Sequence, residues 1–164
     1  KMKSAVDAMV DKSRLVDGVP TSLLQLGYDH IGLDDGWQAC GHGINGSFHS
    51  ASGIPLYNNK TFPSPKAMTA YARAHGVASG FYLNTCDCCE RGHLAPNWGP
   101  QMEGDTSTVV DWGFTSLKLD SCGPSQDLIE WSRLLNKTGT AVLLENCFDN
   151  ASFPFTASGV DDGE

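Results

Sequence analysis

The chain has 164 residues, 40% of them hydrophobic, and a formal net charge of −8. That composition suits one ordinary globular core. Its acidity leaves no basic stripe to neutralise the phosphates of a nucleic acid, and no apolar run reaches the roughly 18 residues needed to span a bilayer.

In chain order, Met2, Ala5, Val6, Met9 and Val10 recur at helical spacing and predict a helix to about Val16. After the Gly27 break, Tyr28 to Asp34 reads as a strand, followed by a long polar loop rich in Gly, Ser and Asn from about Gly36 to Thr61. Ser64-Pro65 supplies an N-cap and a proline at the first helical position, opening a helix through Arg73 that stops at Gly76. Val77 to Asn84 is a strand that runs into a Cys-rich loop, and Asp105 is expected to cap a short helix ending at Gly113. Ser116-Leu-Lys-Leu-Asp-Ser-Cys122 is the next strand, then a helix from about Ser125 to Leu135, then a strand from Ala141 to Glu145.

Four strands alternating with helices predict an α/β fold with parallel pairing. An open doubly wound sheet and part of a (β/α)8 TIM barrel both fit. The polar residues Asp34/Asp35, Tyr82/Asn84, Lys118/Asp120 and Glu145 all fall at the C-terminal ends of successive strands. A barrel gathers its site there from several strands, whereas an open sheet uses one switch point and no Gly-rich phosphate loop follows any strand. The barrel is therefore the expected architecture. A complete one takes about 250 residues, and the chain opens inside a helix and closes without a terminating element. Residues 1–164 accordingly read as part of a barrel domain cut at both ends.

Along a strand Lys118 and Asp120 project to one face while Leu117 and Leu119 pack on the other. An ammonium so close favours the ionised carboxylate, and an ionised, oriented carboxylate is what a nucleophile at a sugar carbon must be. Asp34 and Asp35 deliver a second acidic strand end. Each feature has a plainer reading. Asp before Gly is ordinary turn chemistry, a Lys–Asp pair can be structural, and a strand tyrosine such as Tyr82 is usually packing. Trp37 and Trp98 are candidate sugar-stacking platforms, whereas Trp112 and Trp131 lie in helices and belong to the core.

The six cysteines (Cys40, Cys86, Cys88, Cys89, Cys122, Cys147) fit disulfides better than a metal centre. No Cys-x2-Cys pair recurs, and the five histidines lack ligand spacing. Four sequons begin at Asn45, Asn59, Asn136 and Asn150. Together these predict a secreted or lysosome/vacuole-like glycoprotein.

Tyr28-Asp-His-Ile-Gly-Leu-Asp-Asp-Gly-Trp37, Gly80-Phe-Tyr-Leu-Asn84 and Leu117-Lys-Leu-Asp-Ser-Cys122, in this order and spacing, resemble glycoside hydrolase family 27. These are the α-galactosidases and α-N-acetylgalactosaminidases. The resemblance covers nearly the whole chain, corresponds to the second to fifth barrel strands, and extends to the sequon Asn136-Lys-Thr138. It implies retaining hydrolysis of terminal α-galactosyl groups in an oligosaccharide or glycolipid, without a cofactor. Asp120 would be the nucleophile and the acid/base would lie outside the chain. Lys118 would hydrogen-bond sugar hydroxyls, Asp34 and Asp35 would grip O4 and O6, and Trp37, Tyr82 and Glu145 would line the pocket. Cys122 would be disulfide-bonded to Cys86, Cys88 or Cys89. The chain departs from the pattern at Gly36, where the family has a bridged cysteine. Ungapped counting from the sequon puts Cys147, two residues beyond Glu145, at the family's pocket glutamate. An α-N-acetylgalactosaminidase and a non-catalytic sugar-binding relative are the alternative functions. Oligomeric state has no signature.

Overall fold

The computed structural model describes residues 2–84, 99–120 and 128–147. Within them α1 (Met2–Val10), β1 (Leu15–Val16), β2 (Val19–Pro20), β3 (His30–Gly32), α2 (Pro65–Ala74), β4 (Ala78–Leu83), α3 (Gly99–Trp112), β5 (Ser116–Asp120), α4 (Leu128–Lys137) and β6 (Leu143–Cys147) follow one another. The four long-range strands form one parallel sheet in sequence order, β3-β4-β5-β6. Consecutive parallel neighbours joined through α2, α3 and α4 are the repeating unit of a (β/α)8 barrel.

The sheet has two chemically different faces because side chains alternate along each strand. Phe81, Leu83, Leu117 and Leu119 are buried on one face, in a cluster with Met68, Val109, Phe114, Trp131, Leu134 and Leu135. Several of these come from the apolar stripes of the helices, and each large side chain so buried contributes about 1.5–3 kcal/mol. On the other face the register aligns Gly32 with Gly80 and Ser116, then Tyr82 with Lys118 and Glu145, then Asp120 with Cys147. Small residues therefore give way to charged and aromatic ones toward the C-terminal ends. His30 reaches over Gly80 to Ser116, Nε2 to Oγ 2.9 Å. A Cβ on Gly80 would stand 2.5 Å from that hydroxyl, so a larger residue there would displace the Ser116 side chain.

Ser64 caps α2 as expected, its Oγ accepting from Ala67 N at 3.1 Å with Pro65 beginning the helix. Other boundaries differ. The first helix ends at Val10 rather than near Val16, because Asp11 accepts from the backbone N and the hydroxyl of Ser13. Leu15–Pro20 then forms a hairpin around Asp17-Gly18, both at positive φ, and Asp-Gly between valines is a strong two-residue turn signal. Asp105 is not a cap: it lies within α3, fully buried, where it takes a partner from the long loop. The last strand is Leu143–Cys147 rather than Ala141–Glu145, since the turn continues through Gly139, at φ 68°, before Leu143 N reaches Thr115 O at 2.9 Å. The loop from Gly36 to Thr61 is built rather than open, with bridges Gln38↔Tyr57 and His49↔Pro55 and with Trp37, Phe48 and His49 buried.

Candidate active site

β5 carries the centre of the constellation. Lys118 and Asp120 stand two residues apart on the face of the sheet opposite Leu117 and Leu119, and the Lys118 ammonium lies 3.6 Å from Asp120 Oδ2. It lies closer still, 3.1 Å, to Oδ2 of Asp34, which follows β3. Lys118 thus joins two carboxylates from different strand ends, where the sequence pairs it with Asp120 alone. The backbone N–H of Asp35, and next the Lys118 ammonium, hold the Asp34 carboxyl below its ordinary range. Asp34 in turn pushes the lysine up, as its first cause.

β4 supplies Tyr82 between them. Its ring lies 5.0 Å beneath the Lys118 ammonium, a cation–π contact. Asn84 Nδ2 donates to the Tyr82 hydroxyl at 3.0 Å. Burial, and more weakly the neighbouring Asp120, push the phenol well above its ordinary value, so it stays protonated and able to donate. Asp35 turns beside Asp34, one oxygen accepting from Gly36 N at 2.7 Å and from Gln38 Nε2 at 2.8 Å. Glu145 stands opposite Lys118 in register on exposed β6, and Cys147 opposite Asp120.

Trp37 does not belong to this surface. Only 1% of it is exposed; it packs against Phe48, Phe81 and Trp112 and donates its indole N–H to the Tyr82 carbonyl at 2.8 Å. It fixes the backbone of β4 from behind and is not a stacking platform, because its face has no room for a sugar. Trp131 is in the core and Trp112 packs against it, as expected. Cys86, Cys88, Cys89, Trp98, Cys122 and the Asn150 sequon lie outside the described residues. Cys40 is disulfide-bonded while Cys147 is a free, exposed thiol. Gln38, which grips Asp35, and the buried pair His49–Asp105 carried no signal in the sequence: one is an amide in a polar loop, the other joins residues 56 positions apart. Among the described residues no three His, Cys, Asp or Glu side chains converge to hold a metal, and no helix is long and apolar enough to cross a membrane.

A sequence model described as Alpha galactosidase A matches residues 13–155. The chain belongs to the alpha galactosidase A family. An α-galactosidase of Oryza sativa subsp. japonica is 34% identical over 109 residues, 63% of this chain and 23% of the relative. An α-N-acetylgalactosaminidase of Gallus gallus is 30% identical over 127 residues, 73% of this chain and 29% of the relative. The chain thus spans about a quarter of the length of these family members. Among solved structures, the α-galactosidase of Saccharomyces cerevisiae superposes with a TM-score of 0.65 at 20% identity, over 90% of this chain and 31% of that one. That likeness makes the four-stranded sheet part of an α-galactosidase barrel fold.

Proposed function

We propose that the full-length protein is a retaining glycosidase that cleaves terminal α-galactosyl groups with Asp120 as nucleophile. The observation that carries the reading is the Lys118 ammonium held between Asp34 and Asp120, at 3.1 and 3.6 Å, at the ends of the two strands that flank β4. The ammonium favours an ionised Asp120 and leaves it oriented on the face where a sugar would sit. The Asp120 carboxylate attacks the anomeric carbon as the bond to the aglycone oxygen breaks. That oxygen takes a proton from a second carboxyl about 5–5.5 Å away. Water then hydrolyses the glycosyl ester, the second carboxyl accepting its proton and Asp120 leaving as carboxylate. Among the described residues Asp34 and Asp35 are engaged by Lys118, Gly36 and Gln38, so the acid/base is assigned to a part of the protein beyond these strands.

Asp34 and Asp35 are suited to grip sugar hydroxyls, since carboxylates make short, charge-assisted hydrogen bonds. Lys118 and the protonated Tyr82 add donors, and Glu145 extends the same face. The chicken relative, an α-N-acetylgalactosaminidase, supports terminal α-N-acetylgalactosamine as a second substrate reading. A disulfide at Cys40 and exposed Asn59 and Asn136 sequons support a secreted or lysosome/vacuole-like glycoprotein. Asp120→Asn in the full-length protein tests the mechanism: turnover of an aryl α-galactoside should fall by several orders of magnitude. A mechanism-based sugar fluoride that labels another carboxylate would refute the assignment.

A further inference from the structure

Asp35 is held more firmly than a solvent-facing turn residue needs to be. Gln38 is 6% exposed, and its amide spans the turn: Nε2 donates to Asp35 Oδ1 at 2.8 Å while Oε1 accepts from Gly36 N at 3.1 Å. The amide orientation is unambiguous, because the reverse would face its oxygen to a carboxylate. Oδ1 is thereby occupied by two donors, and Oδ2 takes none among the described residues.

Gln38 is itself anchored through a relay of backbone bonds. It bridges Tyr57; Ala39 N donates to Leu56 O at 2.9 Å, and Leu56 N donates to Phe48 O at 2.7 Å. The next residue, His49, is fully buried, and its Nε2 lies 2.9 Å from Oδ1 of Asp105 on α3. One residue earlier on α3, Gly104 meets the loop backbone so closely that a Cβ would stand 2.0 Å from Gly53 O. The loop is therefore docked on α3 at two adjacent helix positions, one by close approach and one by a buried polar pair.

We propose that Gln38 is a positioning residue for Asp35, and that the His49–Asp105 pair holds the loop from which Gln38 acts. The inference rests on the sugar-holding role proposed for Asp35. It predicts a substrate-dependent defect rather than a general loss of fold. In the full-length protein, Gln38→Ala should lower kcat/KM for an aryl α-galactoside roughly tenfold, chiefly through KM, with the melting temperature little changed. With aryl galactosides lacking the 4- or the 6-hydroxyl, the penalty should shrink for the one whose missing group Asp35 would bind. Asp105→Asn should produce the same KM defect, and combining it with Gln38→Ala should add little, since both act on one carboxylate. An unchanged KM in folded Gln38→Ala, or an equal penalty on every substrate, overturns the positioning role. Fully additive costs overturn the link to His49–Asp105. A full-length parent protein that turns over no aryl α-galactoside overturns instead the glycosidase reading beneath it.

Discussion

Lys118 reaches from β5 to Asp34, 84 positions earlier in the chain, and its ammonium is nearer to that carboxylate than to Asp120 on its own strand. One cation therefore contacts two acids that enter the site from different strands. Lys118→Met keeps the length of the side chain and removes the charge. The titration midpoint of Asp34, followed by carboxyl NMR, should move up toward its ordinary value, and kcat/KM should fall. An unmoved midpoint would leave the Asp35 backbone N–H, the first cause of the depression, as the whole of it.

The same shifts fix the sign of the pH dependence. Asp34 is depressed on folding, so the stability it adds is present above its ordinary value of 3.8 and is lost as pH falls through the lower folded value. Lys118 is raised, so its share is present below 10.5 and lost only as pH climbs through the higher folded value. Asp34 is largely exposed and the gain is correspondingly small. Asp34→Asn should be less stable than the parent by a small constant amount from about pH 4 to about pH 10, and the two acid-unfolding profiles should converge as pH falls below that range.

Asp34→Ala and Asp35→Ala should each cost about 2–4 kcal/mol in transition-state binding, measured as the loss of kcat/KM. On the proposed reading each change leaves sugar hydroxyls without an ionic acceptor. A folded variant with undiminished kcat/KM would return that carboxylate to turn chemistry.

Trp37→Ala should destabilise the protein by about 3–5 kcal/mol, because it empties a fully buried aromatic site and frees the Tyr82 carbonyl. Trp37→Phe should lose less, keeping most of the volume but not the N–H. Denaturant midpoints give both values: no loss in Trp37→Phe would show that the hydrogen bond adds nothing, and two equal losses would show that the ring volume adds nothing.

Gly104→Ala places a methyl against the Gly53 carbonyl. Backbone on both sides cannot yield as a flexible side chain would, so a loss of about 1–3 kcal/mol in thermal or denaturant unfolding is expected. Wild-type stability in this variant would mean that the loop can lift from α3 at little cost.

Thiol labelling separates the two described cysteines. Without reductant, iodoacetamide should modify Cys147, which is free and exposed, and spare Cys40, which is disulfide-bonded. Alkylated Cys40 in an unreduced digest would contradict that bond.

The sheet was legible because its signals are local. Alternation in Ser116–Asp120 and the Ser64-Pro65 cap declare themselves within a few residues. The acidic strand ends followed from the same rule that puts barrel chemistry at C-terminal ends. Trp37 misled because a tryptophan beside carboxylates in a sugar-binding pattern looks like a platform, while its burial depends on Phe48, Phe81 and Trp112 arriving from three other segments. Asp105 looked like a cap for the same reason: an acid read by local propensity is a helix signal, but His49 56 residues away decides its place. The Asp17-Gly18 hairpin was readable and was hidden by carrying a helical period too far.

The row of charges at the strand ends has an electrostatic consequence. Among the described residues Asp34, Asp35 and Asp120 present three carboxylates against the one ammonium of Lys118. The cluster therefore carries an excess of negative charge, and the chain as a whole reinforces it with a net −8. Such a field does little for a neutral sugar, but in the proposed reaction it favours the positive charge that builds at the ring oxygen and anomeric carbon as the glycosidic bond breaks. Selectivity for that fleeting cation over its neutral precursor is what raises a rate rather than merely tightening binding. A galactose mimic with a protonated ring nitrogen borrows the same charge, and should be retained more tightly than the sugar it imitates.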